Sequence, residues 1–516
     1  METSRTQQRS VICLSSHREM WTTVALVVTV LVILFVRANI RPAGFPPGPF
    51  CLPFFGNALH IILLSPKVAF EKYVNDYGGI LSYRVFNTWG LLVSDPALMK
   101  AGMADPALSG RIDLILFDHR DSIIRRNKSA PLGIISTSGD VWKNQRRFTL
   151  RTLRDLGFGR STLEPIMQEE LEELLKLFRE REGEKVEVGL LFNRSIVNVI
   201  WAITIGKRYS YDDKKLEKLV EKVSKMVQTF NPFHPALRFR WVKKLFPNLT
   251  VIHNTHHYMA ELLAFIESEI EVYKQQKGDQ EDTSCYIGAY LHELEQLKPD
   301  EEDDTSLSMD HLKANILELF LGGSETTSST LWWAVYWLAS NQNAQRAMQE
   351  EMDRVVGRCN TPTISHMDRL PYTMATIYEV QRMGDLVPFA IPHMATEATS
   401  LGGYRISEGT QMMFNLSHGL LNSRYWKDHD KFRPEHFLTE DGKVFKPDHF
   451  MPFGFGKRVC LGESLARLEV FVFLASLMHR FSWRITEDPV VWETSTVISR
   501  PPKFSVYIVS RDQDMD

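Results

Sequence analysis

The chain has 516 residues, 44% hydrophobic and 24% charged, with a formal net charge of −3 at pH 7. Such a length buries a large core and by itself admits two or three domains. The balanced charge excludes a nucleic-acid binder built on a basic surface. Five scattered cysteines (Cys13, Cys51, Cys285, Cys359, Cys460) argue against a disulfide framework and for a reducing compartment.

Residues 1–19 form a short polar segment, and Met20–Val36 follows as a charge-free apolar run. Its length is at the short end of a membrane span. A cleaved signal peptide is the rival reading. The polar residues ahead of the run, the lack of an A-x-A-like site after it, and Arg37 and Arg41 disfavour that reading. Residues 20–36 are therefore read as a transmembrane signal anchor. Arginines on both sides (Arg5, Arg9 and Arg18 against Arg37 and Arg41) leave its orientation open by charge alone. Residues 37–49 contain Pro42, Pro46, Pro47 and Pro49, a stiff non-helical hinge, and 50–516 is one continuous catalytic region.

Within that region the apolar period predicts helices at 163–180, 214–228, 254–274, 309–340, 343–357, 372–383 and 462–481. Short β-like pieces occur at Ile80–Val85, Gly90–Val93, Gln411–Phe414 and Ser505–Val509. The expected fold is mainly α with small β-sheets. The acidic run Asp300–Asp304 reads as a solvated loop. Inside the 309–340 helix, Gly322, Gly323 and the hydroxyl run Ser324, Thr326–Thr330 are poor helix formers, so a local distortion is expected there.

The most informative run is Phe453-Gly454-Phe455-Gly456-Lys457-Arg458-Val459-Cys460-Leu461-Gly462. A chance match to its F-x-x-G-x-R-x-C-x-G pattern is on the order of one in ten thousand per chain. A cysteine thiolate that binds a metal needs nearby positive charge and N–H donors. Arg458 and the start of the following helix are expected to supply them, while Gly456 and Gly462 would let backbone approach a flat cofactor.

This run resembles the haem-binding loop of the cytochrome P-450 family. The resemblance implies the cytochrome P-450 fold behind one N-terminal transmembrane helix, with haem b (iron protoporphyrin IX) as cofactor and Cys460 as the axial ligand of its iron. Gly322, Gly323, Glu325 and Thr326 match the family's [AG]-G-x-[DE]-T motif. It implies that Thr326 offers a hydrogen bond during oxygen activation and that Glu325 helps relay protons. Glu379 and Arg382 match E-x-x-R, and Pro434-Glu435-His436-Phe437 resembles P-E-R-F with histidine in place of arginine. Glu379 and Arg382 are then structural, and a neutral His436 would leave their network short of a permanent charge. Trp142 and Arg146, at i and i+4, share a helix face and can both donate to a carboxylate. The family uses that pair on a haem propionate, with His393 and Arg458 as further donors, and Phe453 and Gly456 belong to the cofactor loop. Lys143, Arg147, Arg151 and Arg154 form a basic stripe suited to an acidic redox partner, which Lys457 would extend.

The resemblance also implies the activity: insertion of one oxygen atom from O2 into a lipophilic steroid, fatty acid, terpenoid or xenobiotic. Electrons would come from NADPH through an NADPH-cytochrome reductase, with cytochrome b5 as a further partner. It places the anchor in the endoplasmic reticulum membrane with the catalytic domain facing the cytosol, where the N-x-S/T matches at Asn127, Asn193, Asn248 and Asn415 would stay bare. A haem-thiolate isomerase or dehydratase, or a non-catalytic haem- or ligand-binding membrane protein, are the alternatives. The intact Glu325–Thr326 pair and the complete motif set disfavour them. Candidate substrate-lining segments are Leu114–Phe117, Phe230–Phe239, Leu317–Gly323, Val387–Ile391 and Val497–Ile498.

Overall fold

The computed structural model describes residues 2–113, 115–125, 130–229, 245, 250–278, 282–297, 307–486 and 498–511. The expected acidic loop at 300–304, the segment Phe230–Phe239, Leu114 and Val497 lie outside the described residues.

The chain is mainly helical with small sheets. The first helix spans Glu2–Asn39, and its portion Met20–Asn39 is long and apolar enough to cross a membrane. Residues 40–50 are non-helical, as the prolines dictate. The predicted helices appear at Glu164–Arg179, Lys214–Thr229, Thr250–Lys277, Met309–Ser340, Gln342–Val355, Pro371–Gly384 and Glu463–Arg480. Local chemistry fixes several ends. The Ser308 hydroxyl accepts from His311 N at 3.3 Å at the start of the long helix. Asp95 caps Leu98 N at 3.0 Å ahead of Pro96.

The 32-residue helix Met309–Ser340 runs through the main core and packs on Gly189–Thr204, Pro371–Gly384 and Glu463–Arg480. Its glycine–hydroxyl stretch remains α-helical throughout, so the expected distortion is not found. The hydroxyls of Ser324, Thr326, Ser328 and Thr330 each donate to the carbonyl four residues back, at 2.6–2.8 Å, and the ladder absorbs them.

Five short strands form one sheet in the spatial order Ile80–Val85, Thr88–Val93, Gln411–Phe414, His393–Met394 and Gly110–Arg111. Thr88–Val93 runs parallel to Gln411–Phe414 and the other neighbours are antiparallel. Its last register pairs Arg111 with His393, so two side chains far apart in sequence arrive side by side. A second sheet joins Lys185–Val186, Val506–Ser510 and Phe481–Ile485. Asn193 and Asn415 are buried, which leaves neither open to a glycan.

Candidate functional site

The cysteine loop lies between Met451 and the helix Glu463–Arg480. Gly454 N donates to Met451 O and Cys460 N to Phe453 O, both at 3.0 Å, around a single 3-10 turn at Gly456–Arg458. The Arg467 guanidinium sits 5.2 Å from the centre of the Phe453 ring. The reason for Gly456 differs from the expected one. Its φ is +70°, and a Cβ there would lie 2.1 Å from Met103 O. The close approach is to the backbone at the end of the helix Pro96–Ala104, because the loop is seated on that helix. Gly456→Ala is expected to lower stability by more than the about 1–3 kcal/mol of a left-handed non-glycine residue, since the clash adds to it. A thermal unfolding curve matching the wild type would count against that seat.

Cys460 has the accessible surface of an exposed residue. Yet burial is the main influence on its thiol and pushes its pKa up. The two observations agree if Sγ lines an internal void. The amides of Gly462 and Glu463 and the Arg146 guanidinium favour the thiolate, and these act in place of the expected Arg458. Their sum does not outweigh burial, so the thiol keeps its proton until a cation takes its place.

Beside the loop is a group of cations, Arg111 buried and Arg146 and Arg458 half-buried. Arg146, on the helix Gly139–Asp155, donates to Val459 O at 2.7 Å. Arg458 donates to Ser109 O, Ile134 O and Thr137 O at 2.8, 3.2 and 2.6 Å, and its guanidinium lies 3.9 Å over the Trp142 ring. Arg111, which the sequence did not single out, donates to Ile135 O at 3.2 Å and Ile391 O at 2.8 Å. Among the described residues none of these arginines forms an ion pair. Glu318, the acid that bears on Arg458, is already held by Arg120 and by the amides of Ile134 and Ile135. Burial first, then mutual repulsion, pushes Arg111 down to about 9 and Arg458 down to about 8. Burial and Arg111 likewise hold the His393 imidazole well below its usual range. His393 Nδ1 lies 2.7 Å from Leu108 O and so donates to it, which leaves Nε2 free to donate only when the ring is charged. Trp142 Nε1 is buried with no acceptor. Such a concentration of positive charge and an orphaned donor is costly unless an anion completes it.

Across from the loop, the two glycines of the long helix have separate uses. A Cβ at Gly323 would meet Ile200 at 2.6 Å, so this glycine lets the helix Gly189–Thr204 approach. A Cβ at Gly322 would meet nothing within 4 Å, and this residue faces open space. Leu317 and Phe320 are fully buried, Phe320 stacked on Trp201 at 4.6 Å, so those two expected lining residues belong to the core. Ile391 retains 36% exposure. Thr326 Oγ1 donates to Gly322 O at 2.6 Å, which commits its proton and leaves its oxygen to accept. Glu325 is buried, bound to Arg500 through Oε1 and 3.4 Å from Asn193 Nδ2 through Oε2. The neighbouring Thr327 hydroxyl donates to Glu469 at 3.3 Å, and burial pushes that carboxyl up to about 8.

Glu379 and Arg382 are fully buried and paired through two bonds of 2.7 Å. His436 Nδ1 lies 3.2 Å from Glu379 Oε1, and its Nε2 lies 2.5 Å from Lys427 O. Both ring nitrogens therefore face acceptors.

The family model for cytochrome P450 matches residues 46–508. The chain belongs to the cytochrome P450 family. It is 35% identical to cytochrome P450 2J2 of Homo sapiens over 456 residues, 86% of each chain. It is 32% identical to cytochrome P450 2J3 of Rattus norvegicus over 465 residues, 89% of each. With cytochrome P450 2D15 of Canis lupus familiaris it shares 32% over 458 residues, 88% of this chain and 90% of the relative. The protein is a haem-thiolate monooxygenase, and its cofactor is haem b. The residues present suit that group, for a haem carries two carboxylates, and the cations around the orphaned Trp142 Nε1 lack any.

Proposed function

We propose that this cytochrome P450 inserts one oxygen atom of O2 into a lipophilic substrate (a steroid, fatty acid, terpenoid or xenobiotic) at the endoplasmic reticulum membrane. Electrons come from NADPH through an NADPH-cytochrome reductase, with cytochrome b5 as a second donor, and the catalytic region faces the cytosol. The observation that carries the site assignment is the set of buried Arg111 and half-buried Arg146 and Arg458, without ion-pair partners among the described residues, around the orphaned Trp142 Nε1, next to Cys460. In this reading Cys460 is the iron ligand, and Trp142, Arg146, His393 and Arg458, joined by Arg111, hold the propionates. Bound there, the haem supplies an electron-rich iron suited to O–O cleavage. The chain's own part is positioning and proton supply. Gly322 leaves open space on its side of the long helix, where the cofactor and oxygen would be accommodated. The Thr326 oxygen accepts from a proton-bearing partner while its own O–H donates to Gly322 O, and in this reading the Glu325 carboxyl feeds that relay.

Membrane attachment is supported by an apolar surface that continues past the helix Met20–Asn39. Phe50, Phe54, Leu63 and Val68 are exposed by 75, 69, 81 and 53%. For the reductase, the stripe on Gly139–Asp155 is narrower than its sequence suggests. Lys143 is paired with Asp140 at 2.8 Å and Arg151 with Glu293 at 2.9 Å. Arg147 and Arg154 have no ion-pair partner among the described residues, and both are exposed together with Lys457.

Reconstitution with NADPH, a reductase and lipophilic candidates under isotopically labelled O2 tests the activity. Label in the product is expected, and NADPH oxidation that never yields labelled product would overturn the reading. In the same system Arg147→Glu is expected to slow reduction about tenfold at low ionic strength, within the range that electrostatic steering provides. The difference should shrink as salt shortens the screening length toward about 3 Å. Reduction kinetics indifferent to both the variant and salt would remove the stripe from docking.

A further inference from the structure

The turn that follows Ile498 is pinned on two sides. Ser499 N donates to Leu386 O at 2.7 Å, and Trp333 Nε1 donates to Ser499 O at 3.2 Å. The turn therefore joins Leu386, just ahead of the candidate substrate segment Val387–Ile391, and Ile498 to the long helix. Arg500, the next residue, is 7% exposed, and its guanidinium ends on Glu325 Oε1. Asn193, from the helix Gly189–Thr204, reaches the other oxygen. Both oxygens of Glu325 are thus taken by other elements. Consecutive helix residues diverge by roughly 100°, so Glu325 is held on a face turned from that of Thr326. Arg500 is the cation that bears on Glu325, and Asn193 is the neutral group that does.

We propose that Arg500 is a positioning residue for the oxygenase reaction: from the substrate-side turn it fixes the Glu325 carboxyl in place and so governs proton supply toward the Thr326 hydroxyl. The proposal rests on Glu325 serving the relay. Burial disfavours the Glu325 carboxylate and is the largest influence on it, and Arg500 is the main opposing one. Without Arg500, burial acts nearly alone and the carboxyl keeps its proton to higher pH. Arg500 lies beside the turn, so a substrate that shifts the turn also shifts the partner of the acid.

The test uses the full-length, haem-loaded protein with reductase, as wild type, Arg500→Met, Arg500→Lys, Glu325→Gln and the Met/Gln double variant. Hydrogen peroxide released per NADPH oxidised is followed between about pH 6 and 9. Arg500→Met is expected to move the midpoint of that profile upward by about 1–3 pH units, while Arg500→Lys stays near the wild type. Unfolding midpoints over the same range give a readout independent of turnover. A carboxyl whose folded pKa is raised binds more protons folded than unfolded, so its ionisation lowers stability as pH rises. Arg500→Met should therefore be weakest at high pH, recover as pH falls, and lose that dependence when Glu325→Gln is added. A wild-type peroxide profile in Arg500→Met, or stability effects of the two substitutions that simply add, would overturn the proposal. If Glu325→Gln alone leaves the profile intact, the relay reading fails and takes the proposal with it. If Glu325→Gln alters the profile but Arg500→Met does not, the relay stands and only the role of Arg500 falls.

Discussion

Glu379→Ala is expected to lower stability by about 3–5 kcal/mol, the range seen when one partner of a buried ion pair is removed. Both side chains are at 0% exposure, so solvent cannot replace the lost partner. Glu379 accepts from Arg382 Nε and Nη2 at 2.7 Å each and from Arg433 N at 2.7 Å, and it faces His436 Nδ1. Arg382 in turn donates to His429 O at 2.9 Å and Lys431 O at 3.0 Å, and it stacks 5.1 Å over Trp426. The pair thus ties the helix Pro371–Gly384 to the 429–436 segment. Removing the carboxylate leaves a buried guanidinium, an unsatisfied amide and a His436 ring without its acidic partner. Haem content should fall with stability, because this segment leads into the cysteine loop. The measurement is the urea midpoint together with haem per chain. A loss below about 1 kcal/mol, the value of an exposed pair, would mean that the segment is held by something else.

The spacing of Glu379 and Arg382 was legible because i and i+3 share a helix face, whatever surrounds them. The long helices were legible for the same reason, through the apolar period. Gly189–Thr204 was not: it opens on a glycine after Val188 with no side-chain cap, so no start signal marks it. Arg111 was missed because it lies in a two-residue strand, and its place beside His393 depends on a register set between positions 111 and 393 of the chain. Arg500 was missed for a related reason: its partner lies 175 residues earlier, and nothing local marks either residue as half of a pair. Gly456 shows a different limit. The sequence announced a glycine requirement, but only the structure identifies the Met103 backbone as its cause. At Gly322 and Gly323 one motif concealed two causes, open space and a helix contact.

Cys460→Ser is expected to abolish oxygenation and to weaken haem retention by more than the about 10–100-fold that loss of a supporting hydrogen bond costs a metal site. Serine is close in size, so the loop should keep its Cys460 N to Phe453 O bond and its seat on Met103. Only the ligating atom changes. Sγ faces the amides of Gly462 and Glu463 and the charge of Arg146, all of which favour an anion at this point. Burial opposes that anion, and a thiol can still yield its proton to a bound cation, whereas a hydroxyl, far weaker as an acid, resists the same exchange. An oxygen ligand would also withdraw the electron donation on which O–O cleavage depends. Circular dichroism matching the wild type, with lost haem absorbance and no labelled product, is the expected result. Cys359→Ser is the control, for that exposed thiol lies away from the loop and its removal should change neither readout. If Cys460→Ser instead keeps haem and turnover, the iron ligand is another residue. The cation cluster would then have to be reinterpreted, since Arg146 bears on the Cys460 thiol.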